Sequence, residues 1–238
     1  MADQPEYMSI VAKEFDALAS EYESNRLAPW YQAHADEMLR HCLDIDDGDI
    51  LDIGCGTGHF LREYLKDKPA LRAVGIDLSS SMIEEATRKS GEAGLENLIF
   101  IHADWETMGL DAFSGYNFKV IFCANAFHYF TDPQAASNRL YQLVQEGGVV
   151  YVLERNKARS LLTFFWGFLH STLIKDQVVF YKNAELVKFF EDAGFKGVNI
   201  IRSIKKYFWK NKLFTSIVLI EGKKLKSKRR AEPDNSIE

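Results

Sequence analysis

The chain has 238 residues, 47% of them hydrophobic, with 29 Lys and Arg against 34 Asp and Glu for a formal net charge of -5. That length and apolar content suit a single α/β domain with one substantial core, and the acidic balance argues against a general electrostatic grip on nucleic acid, which needs clustered basic side chains. Cys42, Cys55 and Cys123 are too far apart, and odd in number, for a disulfide framework or a paired metal-ligand set, so a reducing cytoplasm is the expected compartment and no metal is expected.

The N-terminus, MADQPEYMSIVAKEF, carries early acids and no uninterrupted apolar run, unlike a signal peptide. Val11, Phe15, Leu18 and Tyr22 recur at helical spacing, and a second helical pattern follows from Trp30 to Leu43, so residues 8–44 are expected to form a helical cap. From 49 to 154 the pattern changes. The short apolar runs ILDIG, AVGID, LIFIH, VIFCAN and VVYVLE are separated by helical stretches such as SSSMIEEATRKSGEAG and PQAASNRLYQLVQEGG. Strands alternating with helices predict right-handed crossovers and a Rossmann-like, doubly wound, mostly parallel sheet.

The aromatic run at 155–181 is too long for an ordinary connection and reads as an insertion. Its most apolar part, Leu161 to Ile174, is interrupted by His170 and falls short of the roughly 17 to 25 residues of a membrane-spanning helix. A soluble protein is expected. The insertion's helix is apolar nearly all round, which leaves a lid over an apolar acceptor, a homodimer or partner-protein contact, and a shallow membrane contact open. Residues 182–222 supply a helix ending at Gly194 and two runs, VNIIRSI and LFTSIVLIEG, expected as an antiparallel edge. One domain therefore spans 1–222, and the basic tail 223–238 is expected to be solvated and disordered.

The loop ILDIGCGTGHF sets Gly54, Gly56 and Gly58 after the first strand, where an open parallel sheet binds its ligand. A dinucleotide fingerprint would place its third glycine at residue 59, which is His59. That bulk opposes close approach of a pyrophosphate. Asp77 ends the second strand, 77 - 58 = 19 positions after Gly58, where a carboxylate can accept both hydrogen bonds of a ribose diol. Asp104, after the third strand, is placed to accept from an exocyclic adenine amine, with Trp105 or Met82 covering the ring. A nucleoside without a pyrophosphate points to S-adenosylmethionine.

The segments ILDIGCGTG, AVGIDLSSSMIEEA, IHADWE, CANAFHYFTDP and LVQEGGVVYVLE, in this order, resemble class I S-adenosylmethionine-dependent methyltransferases. The pattern is similar to their small-molecule branch, which includes ubiquinone/menaquinone C-methyltransferases and many secondary-metabolite enzymes. The resemblance implies a seven-stranded sheet with an antiparallel last strand and a helical cap. It also implies methyl transfer to a small organic acceptor, aromatic or lipid-like, with S-adenosylhomocysteine as product. Asp52, Gly54, Cys55 and Gly56 are then expected around the methionyl part of the cofactor, Asp77 and Leu78 at the ribose, and Met82, Ala103, Asp104 and Trp105 at the adenine. Asn125 and Ala126 would line the floor under the sulfonium, and Tyr22 would close over the cofactor. QEGG departs from the family's usual proline before two glycines, a change expected to affect a turn.

His128 is the candidate base, because it follows the fourth strand and should face the transferring methyl group. The alternative is a histidine that only bonds a neighbouring loop and shapes the pocket. Tyr129, Trp166, His170 and Tyr181 are candidates for the acceptor side, whereas His102, ending a supposed inner strand, and Cys123 read as structural. The Asp/Asn-Pro-Pro-aromatic run of amino-group DNA methyltransferases and the Pro-Cys nucleophile of cytosine-carbon enzymes are absent. The competing readings are O- or N-methylation of another metabolite, a non-catalytic partner protein of the same fold and, remotely, a nicotinamide-dependent oxidoreductase.

Overall fold

Ile50, Leu51 and Ile53 are buried on both faces of their strand, the signature of a central parallel strand flanked by two helical layers. The computed structural model describes residues 4–25, 28–155, 179–204, 208–209, 212–213 and 217–227. The strands of its main sheet are β1 (Asp49–Ile53), β2 (Arg72–Asp77), β3 (Leu98–His102), β4 (Phe118–Ala124), β5 (Val144–Arg155), β6 (Lys196–Ile204) and β7 (Ile217–Lys223), and Phe208–Trp209 pairs with Lys212–Leu213 in a separate short hairpin. Strands β1 to β7 form one seven-stranded sheet in the order β3-β2-β1-β4-β5-β7-β6. Neighbours from β3 through β5 pair in parallel, and β7 runs antiparallel to both β5 and β6. The order reverses between β1 and β4, which opens a crevice above their carboxyl ends.

The helices are α1 (Gln4–Leu18), continued by a short 3₁₀ turn (Ala19–Glu21), α2 (Ala28–His41), α3 (His59–Leu65), α4 (Ser80–Glu92), α5 (Pro133–Leu143) and α6 (Asn183–Ala193). Local chemistry sets their ends. The Ser79 hydroxyl accepts the Met82 amide at 3.1 Å, Asp132 accepts the Ala135 amide at 2.9 Å with Pro133 in the first turn, and Gly194 ends α6 at φ 109°. One face of the sheet packs Phe118, Phe127, Leu140, Leu186 and Phe190, and the other packs Met38, Phe60, Leu61 and Phe122. Two phenols moor the end of α2. Tyr64 donates to the Leu43 carbonyl at 2.7 Å, and Tyr151 accepts the Leu43 amide at 3.0 Å.

As the sequence reading expects, the last two strands form an antiparallel edge, with β7 between β5 and β6. Three details differ from it. QEGG does not form a separate turn but a bulge within β5, where the register with β4 shifts between Phe118/Val144 and Val120/Val149. His102 ends an edge strand, not an inner one, and its exposed ring bonds the Leu78 carbonyl at 3.0 Å. The ordered chain also continues past 222: Lys224 donates to the Tyr141 and Val144 carbonyls at 2.7 and 2.8 Å, and Ser227 bonds Glu146. Among the described residues, no helix is long and apolar enough to cross a membrane.

The cap is tied to the sheet by charge. Asp16 on α1 accepts from the Ser79 hydroxyl at 2.5 Å and the Ser81 amide at 3.1 Å, which lowers its pKa. Glu23 accepts from the Thr57 hydroxyl beside the glycine loop and pairs with Arg62 at 2.8 Å and Lys89 at 3.1 Å. Burial pushes the Glu23 pKa up, but these partners outweigh it and hold it at about 2. A depressed carboxylate stabilises the fold fully above its ordinary value near 4.5 and ceases to do so as pH falls through about 2. Melting curves of Glu23→Gln and the wild type should therefore differ at neutral pH and converge towards pH 2; a constant difference down to that pH contradicts the assignment.

Candidate active site

The crevice above β1, β2 and β4 is an open cleft, roofed by α1, α2 and Tyr22 between them. Its floor is the glycine loop. The amides of Gly54 and Cys55 donate to the Ile76 carbonyl at 2.8 and 3.0 Å, which bends the chain sharply away from β1. Gly54, Gly56 and Gly58 all have positive φ, at 72°, 53° and 72°. Gly54 has a second constraint, because a Cβ there would stand 2.3 Å from the Cβ of Ala126. The loop thus lies directly against the end of β4, with backbone rather than side chain towards the cleft.

Asp77 fixes this loop. Its Oδ2 accepts the Gly56 amide at 2.8 Å and its Oδ1 accepts the Ser79 amide at 2.9 Å. A carboxylate offers about four acceptor sites, so two remain for a ligand diol. Burial raises the pKa of Asp77 and outweighs the Ser79, Gly56 and Leu78 amides that lower it. Asp52 is raised to about 8, first by burial and then by the charge of Asp77.

Gly54, Gly56, Asp77, Leu78, Met82, Ala103, Asp104, Trp105, Asn125 and Ala126 all line the cleft, together with Tyr22, His128 and Tyr129. Asp52 and Cys55 do not; both are buried behind the loop. Tyr181 is also outside the wall, packed in the core against Phe127 and Phe189 at 6.1 and 5.4 Å between ring centroids. Trp166 and His170 lie outside the described residues. Trp105 is 4% exposed, its ring is flanked by the Arg139 guanidinium at 4.9 Å, and its Nε1 meets no acceptor among the described residues.

Asn125 follows β4 at φ 55°, a left-handed conformation rare outside glycine. Its amide donates to the Leu153 carbonyl at 2.8 Å and its Nδ2 lies 2.7 Å from His34 Nδ1. Burial and then the charge of Arg155 depress the His34 pKa to about 3, so the ring is neutral. Asn125 Oδ1 is buried and accepts no hydrogen bond among the described residues, an acceptor available to a bound cation or N–H. Tyr22 stacks on Tyr31 at 4.3 Å, and burial raises its pKa well above the ordinary phenol value, which makes it a donor and not a phenolate.

His128 is 4% exposed and sits in a 3₁₀ turn, Phe127–Tyr129. Its Nδ1 lies 2.7 Å from Oε1 of Glu154, and its backbone amide donates to Oε2 at 3.2 Å. Glu154 is fully buried at the end of β5. The carboxylate favours a proton on Nδ1 and leaves Nε2 as the basic nitrogen. The sequence reading did not include Glu154, although an acid closing the otherwise apolar VVYVLE was a visible signal. It also missed Glu23, Trp30, Tyr31, His34 and Arg155, whose partners are distant in sequence.

Gly54→Ala should lower the melting temperature and abolish nucleoside binding, because the added methyl meets Ala126 and the left-handed backbone resists a side chain. Calorimetry and thermal melting check this; an alanine variant that binds S-adenosylhomocysteine normally contradicts the loop geometry.

Comparison with known proteins agrees with this architecture. A sterol 24-C-methyltransferase of Aspergillus fumigatus is 32% identical over 130 residues, covering 53% of this chain and 33% of that protein. The aklanonic acid methyltransferase of Streptomyces sp. strain C5 is 31% identical over 147 residues, covering 60% and 63%. The chain thus spans between a third and just under two thirds of these relatives' lengths. Magnesium protoporphyrin IX methyltransferase from Synechocystis PCC 6803, solved with bound SAH, superposes with a TM-score of 0.69 at 16% identity, covering 93% of this chain and all of that one, a likeness of fold. The family described as "Methyltransferase domain" matches residues 45–215, from the turn before β1 to the approach to β7, and the chain belongs to that family.

Proposed function

We propose that the protein transfers a methyl group from S-adenosylmethionine to a small organic acceptor with an aromatic or lipid-like body, and that His128, oriented by Glu154, takes the acceptor's proton. The observation that carries this reading is the buried His128–Glu154 pair in the same cleft as Asp77 and the glycine loop. When bound, the cofactor would supply an electrophilic methyl carbon, with S-adenosylhomocysteine as the leaving group that takes the electron pair of the broken carbon–sulfur bond.

The residues present fit that cofactor. Asp77 retains two acceptor sites for a ribose diol, the Asn125 Oδ1 that no described residue bonds suits an ammonium or N–H, and the absence of a Cβ at Gly54 lets the loop lie close against Ala126. Ala103 and Asp104 continue from β3, and Met82 and Trp105 offer apolar surface for an adenine ring. The cap then keeps water out: Phe15 meets Tyr129 edge-on at 5.7 Å, and Tyr22 and Tyr31 stack above the loop. Glu154 stabilises the imidazolium formed when His128 Nε2 accepts a proton. The relatives' names, a sterol and an aklanonic acid enzyme, also support a hydrophobic acceptor. Three free cysteines, two of them buried, support the cytoplasmic placement.

With labelled methyl groups and a panel of phenolic and quinol-like acceptors, His128→Ala should lower kcat by about 10² to 10⁴ with S-adenosylhomocysteine affinity retained. Glu154→Gln should lower it by roughly 10 to 10³ and change the ascending limb of the pH–rate profile, as expected of a group that orients the base. Equal rates and an unchanged profile in both variants would reduce the pair to a structural contact.

A further inference from the structure

Arg155 ends β5 next to Glu154 and joins the wall of the cleft. Its guanidinium lies over the Trp30 indole, 4.5 Å from the ring centroid, and its buried Nε has no hydrogen-bond partner among the described residues. Nor does any described carboxylate form an ion pair with it. Glu154 is the nearest acid in sequence, but its oxygens are taken by His128 and by the Arg155 backbone amide at 2.6 Å. A half-buried guanidinium held on an aromatic face, with no anion beside it among the described residues, is costly unless a further group completes it.

The surroundings define that ligand. The roof beside Trp30 is apolar, with Met8, Val11, Ala12 and Phe15 in the wall. Arg155 stands at β5, one strand beyond the Asn125–Ala126 floor at β4, whereas Asp77 and the glycine loop lie over β2 and β1. It is therefore on the acceptor's side of the cleft.

We propose that Arg155 binds a carboxylate on the methyl acceptor, which makes the substrate class an apolar monocarboxylic acid, aromatic or long-chain. The planar guanidinium fork matches a carboxylate in two parallel hydrogen bonds. One cation balances one negative charge; a phosphate dianion would remain half-neutralised in a cleft that also contains Asp77 and Asp104. This inference rests on the methyl-transfer reading.

The test uses the full chain saturated with S-adenosylhomocysteine. Dodecanoate and 4-hydroxycinnamate are each titrated against the corresponding methyl ester and primary amide. The wild type is expected to bind at least one acid about tenfold or more tighter than its ester and amide, and Arg155→Met to lose that preference by about 10- to 100-fold. S-adenosylhomocysteine affinity should stay within about twofold in the variant, since the contact is not with the cofactor. Arg155→Lys, which keeps the charge without the fork, should retain part of the preference and covers the case in which Arg155→Met does not fold. Acids that bind no better than their esters overturn the proposal. So does a large loss of S-adenosylhomocysteine affinity in either variant, which would assign Arg155 to the cofactor's own carboxylate. If the wild type does not bind S-adenosylhomocysteine at all, the methyl-transfer reading fails first and this inference falls with it.

Discussion

The site depends on one carboxylate. Asp77 accepts the Gly56 and Ser79 amides and so fixes, at a single point, the glycine loop after β1 and the start of α4 after β2. Each neighbouring contact extends outward from that point. Ser79 caps α4 and donates its hydroxyl to Asp16, which docks α1; Thr57, next to Gly56, donates to Glu23, which gathers Arg62 and Lys89. The helical roof is thus bound to the same loop that forms the floor. Without Asp77, both the amide orientation of the loop and the anchor of the cap would be lost together, and cofactor affinity and cap order should be inseparable properties of this chain.

The second constraint is the register of β4 and β5. Pairing of Ala124 with Leu153 brings the residues after β4 level with the end of β5. Asn125 turns away by adopting positive φ, and the short 3₁₀ turn that follows delivers His128 onto Glu154. Arg155 follows directly and reaches Trp30 on α2. His128, Arg155 and the glycine loop are consequently held by strand ends and short turns and not by long loops, the kind of rigid support that positioning a ligand requires.

Much of the fold was legible because the strands are short, strongly apolar and separated by regular helices. LIFIH and the helix ended by Gly194 appear where the pattern puts them. The glycine loop and Asp77 line the cleft where their types and spacing put them, His128 stands there because it follows the fourth strand, and Asn125 is expected there only from the family resemblance. Other features are set by tertiary pairing. A double glycine reads as a turn, yet Gly147 and Gly148 lie in a bulge because Lys224 pairs with them from the far end of the chain. The partners Glu23 and Thr57 are 34 positions apart, and His34 and Asn125 are 91 apart, so no window of sequence reveals either pair. Tyr181 looked available to an acceptor on sequence position alone, but packing against Phe127 takes it into the core.

The central claim is that the cleft is built for a nucleoside attached to a methionyl group and not for a dinucleotide. Titration calorimetry of the purified protein with S-adenosylmethionine, S-adenosylhomocysteine and NADH, run in parallel, tests it most directly. The account predicts saturable one-to-one binding of the first two and none of NADH. Binding of NADH in their place, or of none of the three, would contradict it.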